Sequence, residues 1–187
     1  MTRLVLVRHG ETDWNREGRY MGHTDQPLND KGLAQAEAAA QSLQGASLAA
    51  IYTSDLRRAR QTADALARTT RAPIVVDRRL RELGQGDWEG QLFSQIARAD
   101  ADLVARRRSD PMDTRPPGGE SVREAQTRVL PLLSEIARRH PTDRVAVVSH
   151  GGLLAVVKIH LLDLPVEAVW DQIPDHASPE EFTLEAP

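Results

Sequence analysis

Two histidines, each followed by glycine, a scatter of arginines and one glutamate are the residues of this 187-residue chain whose types and placing could do chemistry together. They stand in four clusters: Arg8-His9-Gly10-Glu11-Thr12; Ser54-Asp55 followed by Arg57, Arg58 and Arg60; Arg81-Glu82; and Ser149-His150-Gly151-Gly152. Such a set suits phosphoryl transfer. A phosphate monoester carries close to two negative charges, which guanidinium forks bind in bidentate fashion. A neutral imidazole is a competent nucleophile toward phosphorus, and a carboxylic acid can protonate the leaving oxygen. Catalysis would then rest on positioning and on fixed positive charge.

The clusters lie far apart in sequence, so the elements before them must bring them together. Residues 3–7, Arg-Leu-Val-Leu-Val, are too short for a helix and rich in β formers, and they read as a buried strand. Further strands are predicted over 48–53, 73–77 and 145–149, with an edge strand over 181–184. Helices are predicted over 33–43, 56–69, 92–107, 120–139 and 153–162. Ser54 or Asp55 is expected to cap the second of these, Ser121 to cap the fourth, and Pro131 to kink it. Residues 18–32 are expected to form an ordered loop. Short apolar strands alternating with helices give an α/β class, one domain over 1–187 with a mostly parallel sheet flanked by helices on both faces. Each cluster falls at or just beyond the carboxyl end of a strand, where open α/β sheets bind their ligands.

Composition narrows the chemistry. A hydrophobic fraction of 40% supports a core, and a net charge of −3 argues against a general nucleic-acid or membrane-surface binder. With no cysteine, thiol nucleophiles, thiolate metal sites and disulfides are excluded. No Asp-x-Asp-x-Thr run, no Gly-x-x-x-x-Gly-Lys-Ser/Thr loop and no His-Glu-x-x-His pair occurs. Only four apolar residues, Leu4 to Val7, precede Arg8, so neither a signal peptide nor a membrane span is read there, and the cytoplasm is the expected location.

The sequence resembles the histidine phosphatase superfamily, which also holds the cofactor-dependent phosphoglycerate mutases. The resemblance is carried by Leu4-Val5-Leu6-Val7-Arg8-His9-Gly10-Glu11-Thr12-Asp13-Trp14-Asn15, by Gly22-His23-Thr24-Asp25-Gln26-Pro27-Leu28, and by Ser54-Asp55-Leu56-Arg57-Arg58-Ala59-Arg60. Leu80-Arg81-Glu82, Trp88-Glu89-Gly90, Pro117-Gly118-Gly119-Glu120-Ser121 and Val147-Val148-Ser149-His150-Gly151-Gly152 continue it in the family's order. It implies a phosphoglycerate mutase-like fold and a phosphomonoesterase acting on a small phosphorylated metabolite. His9 would be the nucleophile, Glu82 the proton donor, Arg8 and Arg58 the phosphate clamp, and His150 a further member of that pocket. Asn15 and the Gly151 N–H would contact phosphate, Thr24 would belong to the substrate-binding set, and His23 would either line the substrate entrance or be only a loop residue. Hydrolysis would need no metal and no cofactor, whereas a mutase would need 2,3-bisphosphoglycerate to prime His9. The compact span from Glu82 to His150 is more like the small bacterial phosphatases, among them the α-ribazole phosphatase group. A non-catalytic phosphate-ester binding module is the remaining alternative.

Other residues have plainer readings. Glu120 and Ser121 are expected to cap a helix, and Arg106 to Arg108 to form a solvated face. Trp88 and Trp170 would be either core or the contact of a homodimer. Asp175-His176-Ala177-Ser178-Pro179 departs from the asparagine and closing strand expected near the end.

Overall fold

A computed structural model describes residues 1–185. Its sheet has the order β3-β2-β4-β1-β5, from β1 (Thr2–Arg8), β2 (Ala50–Thr53), β3 (Ile74–Val76), β4 (Arg144–Ser149) and β5 (Pro179–Leu184). The first four are parallel, and β5 closes the edge antiparallel to β1. The expected edge strand is therefore present, two residues longer than predicted. The register sets Arg8 beside Ser149, so the residues following both strands, His9 and His150, emerge side by side.

Alternation along the strands explains the two helical layers. Leu4 and Leu6 of β1, Tyr52 of β2, and Val145 and Val147 of β4 face one core with α6 (Val122–Arg139) and α7 (Gly151–Leu161). Val5, Val7, Ile51, Ala146 and Val148 face the other, with α2 (Asp30–Ser42) and α3 (Arg57–Thr70). Strands buried on both faces read as continuous apolar runs, which is what 4–7 and 145–148 are.

Two boundaries differ from expectation for identifiable reasons. The helix predicted over 92–107 is broken at Asp100 into α4 (Phe93–Ala99) and α5 (Ala101–Ser109). Asp100 takes φ −123°, ψ 39° and accepts the indole N–H of Trp88 at 2.9 Å, so a long-range bond overrides local helix propensity. At α3 neither Ser54 nor Asp55 is the cap. The helix starts after Leu56, and the Arg57 N–H is taken by Asp25 of a distant loop at 2.7 Å. Asp55 instead binds Arg78 and Arg81, and with Arg81 beside it its carboxyl is held down to about 2. That pairing ties the carboxyl end of β2 to the segment carrying Glu82. Ser121 caps α6 in a reciprocal box with Glu124, as expected, while Glu120 pairs with Arg128 rather than capping. Pro131 lies within α6, which runs unbroken past it. Among the described residues no helix is long and apolar enough to cross a membrane.

Candidate active site

The carboxyl end of the sheet opens into a cavity of about 330 Å³ whose lining includes Arg8, His9, Asn15, Glu82 and Gly151. His9 follows β1 directly, its N–H held by the Ser149 carbonyl at 2.9 Å. The next residue has to be glycine: a Cβ on Gly10 would lie 2.3 Å from the Gly32 carbonyl oxygen. The Gly10 N–H donates to Thr62 Oγ1, which donates to the Arg58 carbonyl, so α3 fixes the turn after His9.

The His9 tautomer follows from its partner. Nδ1 lies 2.7 Å from the Gly10 carbonyl oxygen, which can only accept, so Nδ1 carries the proton and Nε2 keeps a lone pair. The ring is 2% exposed. Burial first, then the charges of Arg58 and Arg8, hold its pKa well below the usual histidine value.

His150 is completely buried, and its ring meets that of His9 edge-on with centroids 5.1 Å apart. Arg58 Nε donates to its Nδ1 at 3.1 Å, which leaves Nε2–H to donate to Ser54 Oγ at 2.9 Å. Ser54, read as a helix cap, is thus the partner of a histidine. Arg58 is itself fully buried, with Nη1 on the Thr24 carbonyl at 2.9 Å and Nη2 on the Gly22 carbonyl at 2.7 Å. Burial pushes its pKa down to about 10.

Glu82 reaches across to α7. Its Oε1 accepts from the Leu83 and Leu153 N–H groups at 2.9 Å each, and its Oε2 from the Gly152 N–H at 3.0 Å. A side chain on Gly152 would crowd Oε1 at 2.8 Å, so the second glycine after His150 makes room for the carboxylate. Ser149 Oγ bonds the Leu80 carbonyl at 2.8 Å, locking β4 to the same segment. Asn15 belongs to the short helix α1 (Asp13–Glu17). Its Oδ1 accepts from Thr12 N–H and Oγ1–H, which orients the amide and leaves the Nδ2 end as donor.

His23 and Thr24 do not line this cavity. Their N–H groups are held by Glu89, whose carboxylate is stabilised in turn, and their loop supplies the carbonyls that seat Arg58. His23 also donates from Nε2 to the Glu82 carbonyl at 2.9 Å. Glu89, a neighbour of Glu82 in sequence, is committed to that loop.

Two residues at the site escaped the sequence reading. Arg107 is not on a solvated face: it is 8% exposed, lines the cavity and lies between Trp88 and Trp170. Both tryptophans therefore build the cavity wall. His176 sits behind His9, its Nδ1 donating to the His9 carbonyl at 2.9 Å and its ring 5.5 Å from that of His9. The Ala177 N–H bonds the Arg8 carbonyl, and Arg8 Nη1 bonds the Pro174 carbonyl, so residues 174–177 brace the nucleophile's strand end. The edge strand expected over 181–184 lies beyond His176, and nothing local placed that residue.

Burial, reinforced by Arg8, lowers the His176 pKa to about 4. All three imidazoles are thus depressed in the folded state, so below about pH 6.5 the unfolded chain binds protons that the folded chain refuses. Their stability contribution is full above that pH and is lost on acidification, for His176 as pH falls through about 4. The urea midpoint is expected to drop between pH 7.5 and 5, with His176 accounting for about 1–2 kcal/mol after allowance for its partial exposure. The His176→Gln protein should lose that part of the drop; a midpoint flat to pH 5 in the wild type would refute the assignment.

Among the described residues no group of three or more His, Asp or Glu side chains stands where it could hold a metal ion. The sequence matches the profile of the histidine phosphatase superfamily (branch 1) over residues 4–186. It is 39% identical over 197 residues to a glucosyl-3-phosphoglycerate phosphatase of Mycobacterium tuberculosis, covering 95% of this chain and 87% of that one. It is 37% identical over 164 residues to a metal-independent phosphoserine phosphatase of Arabidopsis thaliana, covering 86% of this chain and 69% of the relative. The crystal structure of the α-ribazole phosphatase of Shigella flexneri superposes with a TM-score of 0.83 at 28% identity, covering 96% and 89% of the two chains. A buried imidazole at the end of β1, a second beside it from β4, and a match over nearly the whole length place this chain in the histidine phosphatase superfamily, as a hydrolase of phosphoric monoesters.

Proposed function

We propose that the protein hydrolyses a small phosphorylated metabolite through a phosphohistidine at His9. The observation that carries this reading is the bond from His9 Nδ1 to the Gly10 carbonyl, which leaves an unprotonated Nε2 on the residue that lines the cavity beside Arg8 and Glu82. The phosphate would be received by Arg8, the Nδ2 end of Asn15, the Gly151 N–H and the remaining donors of Arg58. His9 Nε2 attacks phosphorus as the ester P–O bond breaks. Glu82 gives its proton to the departing oxygen and the alcohol leaves. Oε1 already accepts two N–H bonds and Oε2 one, so the lone pair left on Oε2 is where that proton is carried. Water then attacks the phosphohistidine, Glu82 takes its proton, the P–N bond breaks and inorganic phosphate departs.

His150 and His176 would act from behind, the one by holding Arg58 and the other by holding the backbone of His9. The named relatives act on different esters, so the family alone does not choose among glucosyl-3-phosphoglycerate, phosphoserine and α-ribazole phosphate.

The test is phosphate release from a panel of monoesters in excess EDTA, followed by acid- and alkali-quenched trapping of the protein during turnover of a labelled ester. Turnover in EDTA with a protein-bound phosphate that survives alkali and is lost in acid is the expected result. Release that EDTA abolishes would overturn the mechanism. Interconversion of phosphoglycerate isomers without release would make the protein a mutase.

A further inference from the structure

The peptide groups around His9 have both their C=O and their N–H bonded, but not to the same kind of partner. In the Arg8–His9 peptide the carbonyl accepts from the Ala177 N–H and the N–H donates to the Ser149 carbonyl, each at 2.9 Å and each a main-chain group. In the His9–Gly10 peptide both partners are side chains. Its carbonyl accepts from His176 Nδ1 at 2.9 Å, and its N–H donates to Thr62 Oγ1 at 3.1 Å. In the Gly10–Glu11 peptide the carbonyl accepts from His9 Nδ1 at 2.7 Å, and the N–H donates to Gln35 Oε1 at 2.8 Å.

The middle peptide is the one that needs holding. A peptide plane turns about ψ of the residue before it and φ of the residue after it, and the residue after it here is Gly10, with no Cβ to resist. Such a turn would swing the Gly10 carbonyl off the His9 ring. That carbonyl is the only partner of the ring's Nδ1 among the described residues. A neutral imidazole carries one proton, which without this acceptor is free to move to Nε2, and a protonated Nε2 has no lone pair for phosphorus.

The two side chains approach from opposite sides, as the opposed C=O and N–H of a trans peptide require. Thr62 is completely buried on α3, and donating to the Arg58 carbonyl at 2.9 Å leaves its oxygen to accept from Gly10. His176 comes from the segment before β5, with its ring 5.5 Å from that of His9. Neither residue lines the cavity. Building on the phosphohistidine reading above, we infer that Thr62 and His176 are positioning residues that grip the His9–Gly10 peptide by its two edges. Their grip keeps the His9 proton on Nδ1 and the lone pair of Nε2 toward the substrate.

Nitrogen-15 NMR of protein labelled in its histidine rings reads the tautomer, because protonated and bare ring nitrogens resonate far apart, and the His9→Ala protein identifies the His9 signals. The wild type should show a protonated Nδ1 and a bare Nε2. In Thr62→Val and His176→Ala the two signals should move toward each other as the proton is shared, and kcat should fall about tenfold to hundredfold with KM nearly unchanged. Thr62→Ser keeps the hydroxyl, and His176→Asn keeps a donor, Nδ2, the same number of bonds from Cα as the histidine Nδ1. Each should restore the wild-type signals and most of the rate. Because both residues hold one peptide, the double variant should lose less than the product of the two single losses. A loss of rate with the His9 signals unmoved would make the pair merely structural and overturn the inference, as would a wild type with its proton on Nε2. His176→Ala, which changes the less buried of the two, decides the question if Thr62→Val does not fold. The NMR readout needs no substrate, so a wild type that releases phosphate from no ester would sink the phosphatase reading and leave the tautomer test standing.

Discussion

His9→Ala is expected to lower kcat by a factor on the order of 10⁴ or more and to leave no phosphoprotein to trap. The size follows from what is removed. Arg8 and Arg58 would still gather the phosphate, and Glu82 would still face the leaving oxygen, but the P–O bond would have to be broken by water with no nucleophile at Nε2. Because the arginines remain, the mutant should bind its ester with little loss, so the defect belongs in kcat rather than in KM. Folding should be nearly unaffected: the imidazole's one side-chain bond is to the adjacent Gly10 carbonyl, and a buried ring held neutral contributes no charge to the core. A mutant that keeps turnover within tenfold of the wild type would show that some other group attacks phosphorus, and His150 would be the first to examine.

The skeleton of this site was legible in the chain because it is built from strand ends. Leu4 to Val7 and Val145 to Val148 are apolar runs of strand length, and parallel pairing of two such runs puts the residues after them side by side. Two polar clusters after two strands therefore meet without any contact being known. Glu82 was legible for a weaker reason, its place in a family motif; what holds it, the Gly152 and Leu153 N–H groups, is a contact across 70 residues. Arg107 was read wrongly because a run of three arginines has no inherent inside. Which of them turns inward depends on the phase of α5, and that phase is reset at Asp100 by the bond to Trp88. His176 was missed because its position comes from the antiparallel pairing of β5 on β1 and the adjoining bridge between Arg8 and His176. Residues after Asp171 show no helical period, and strand pairing at an edge leaves little trace in a short segment.

Arg58→Met tests whether the buried arginine is there for the phosphate or for the fold, since the two roles predict opposite balances. Arg58 binds His150 Nδ1 and the carbonyls of Gly22 and Thr24, and no carboxylate pairs with it among the described residues. Methionine of comparable length relieves a desolvated charge but orphans three acceptors, so stability should fall by only about 1–3 kcal/mol. Activity should fall far more, about 10²- to 10³-fold in kcat/KM, through loss of fixed positive charge at the transferring group. The mutation also acts on the nucleophile. After burial, the Arg58 charge is the largest influence holding the His9 pKa down, so its removal lets that pKa rise. His9 would then gain its proton at higher pH, and the acid limb of the kcat/KM profile should move upward in Arg58→Met and stay near the wild-type position in Arg58→Lys. An activity loss matched by an equal loss of folded protein, with the acid limb unmoved, would make Arg58 a structural residue and leave the phosphate to Arg8, Asn15 and the N-terminus of α7.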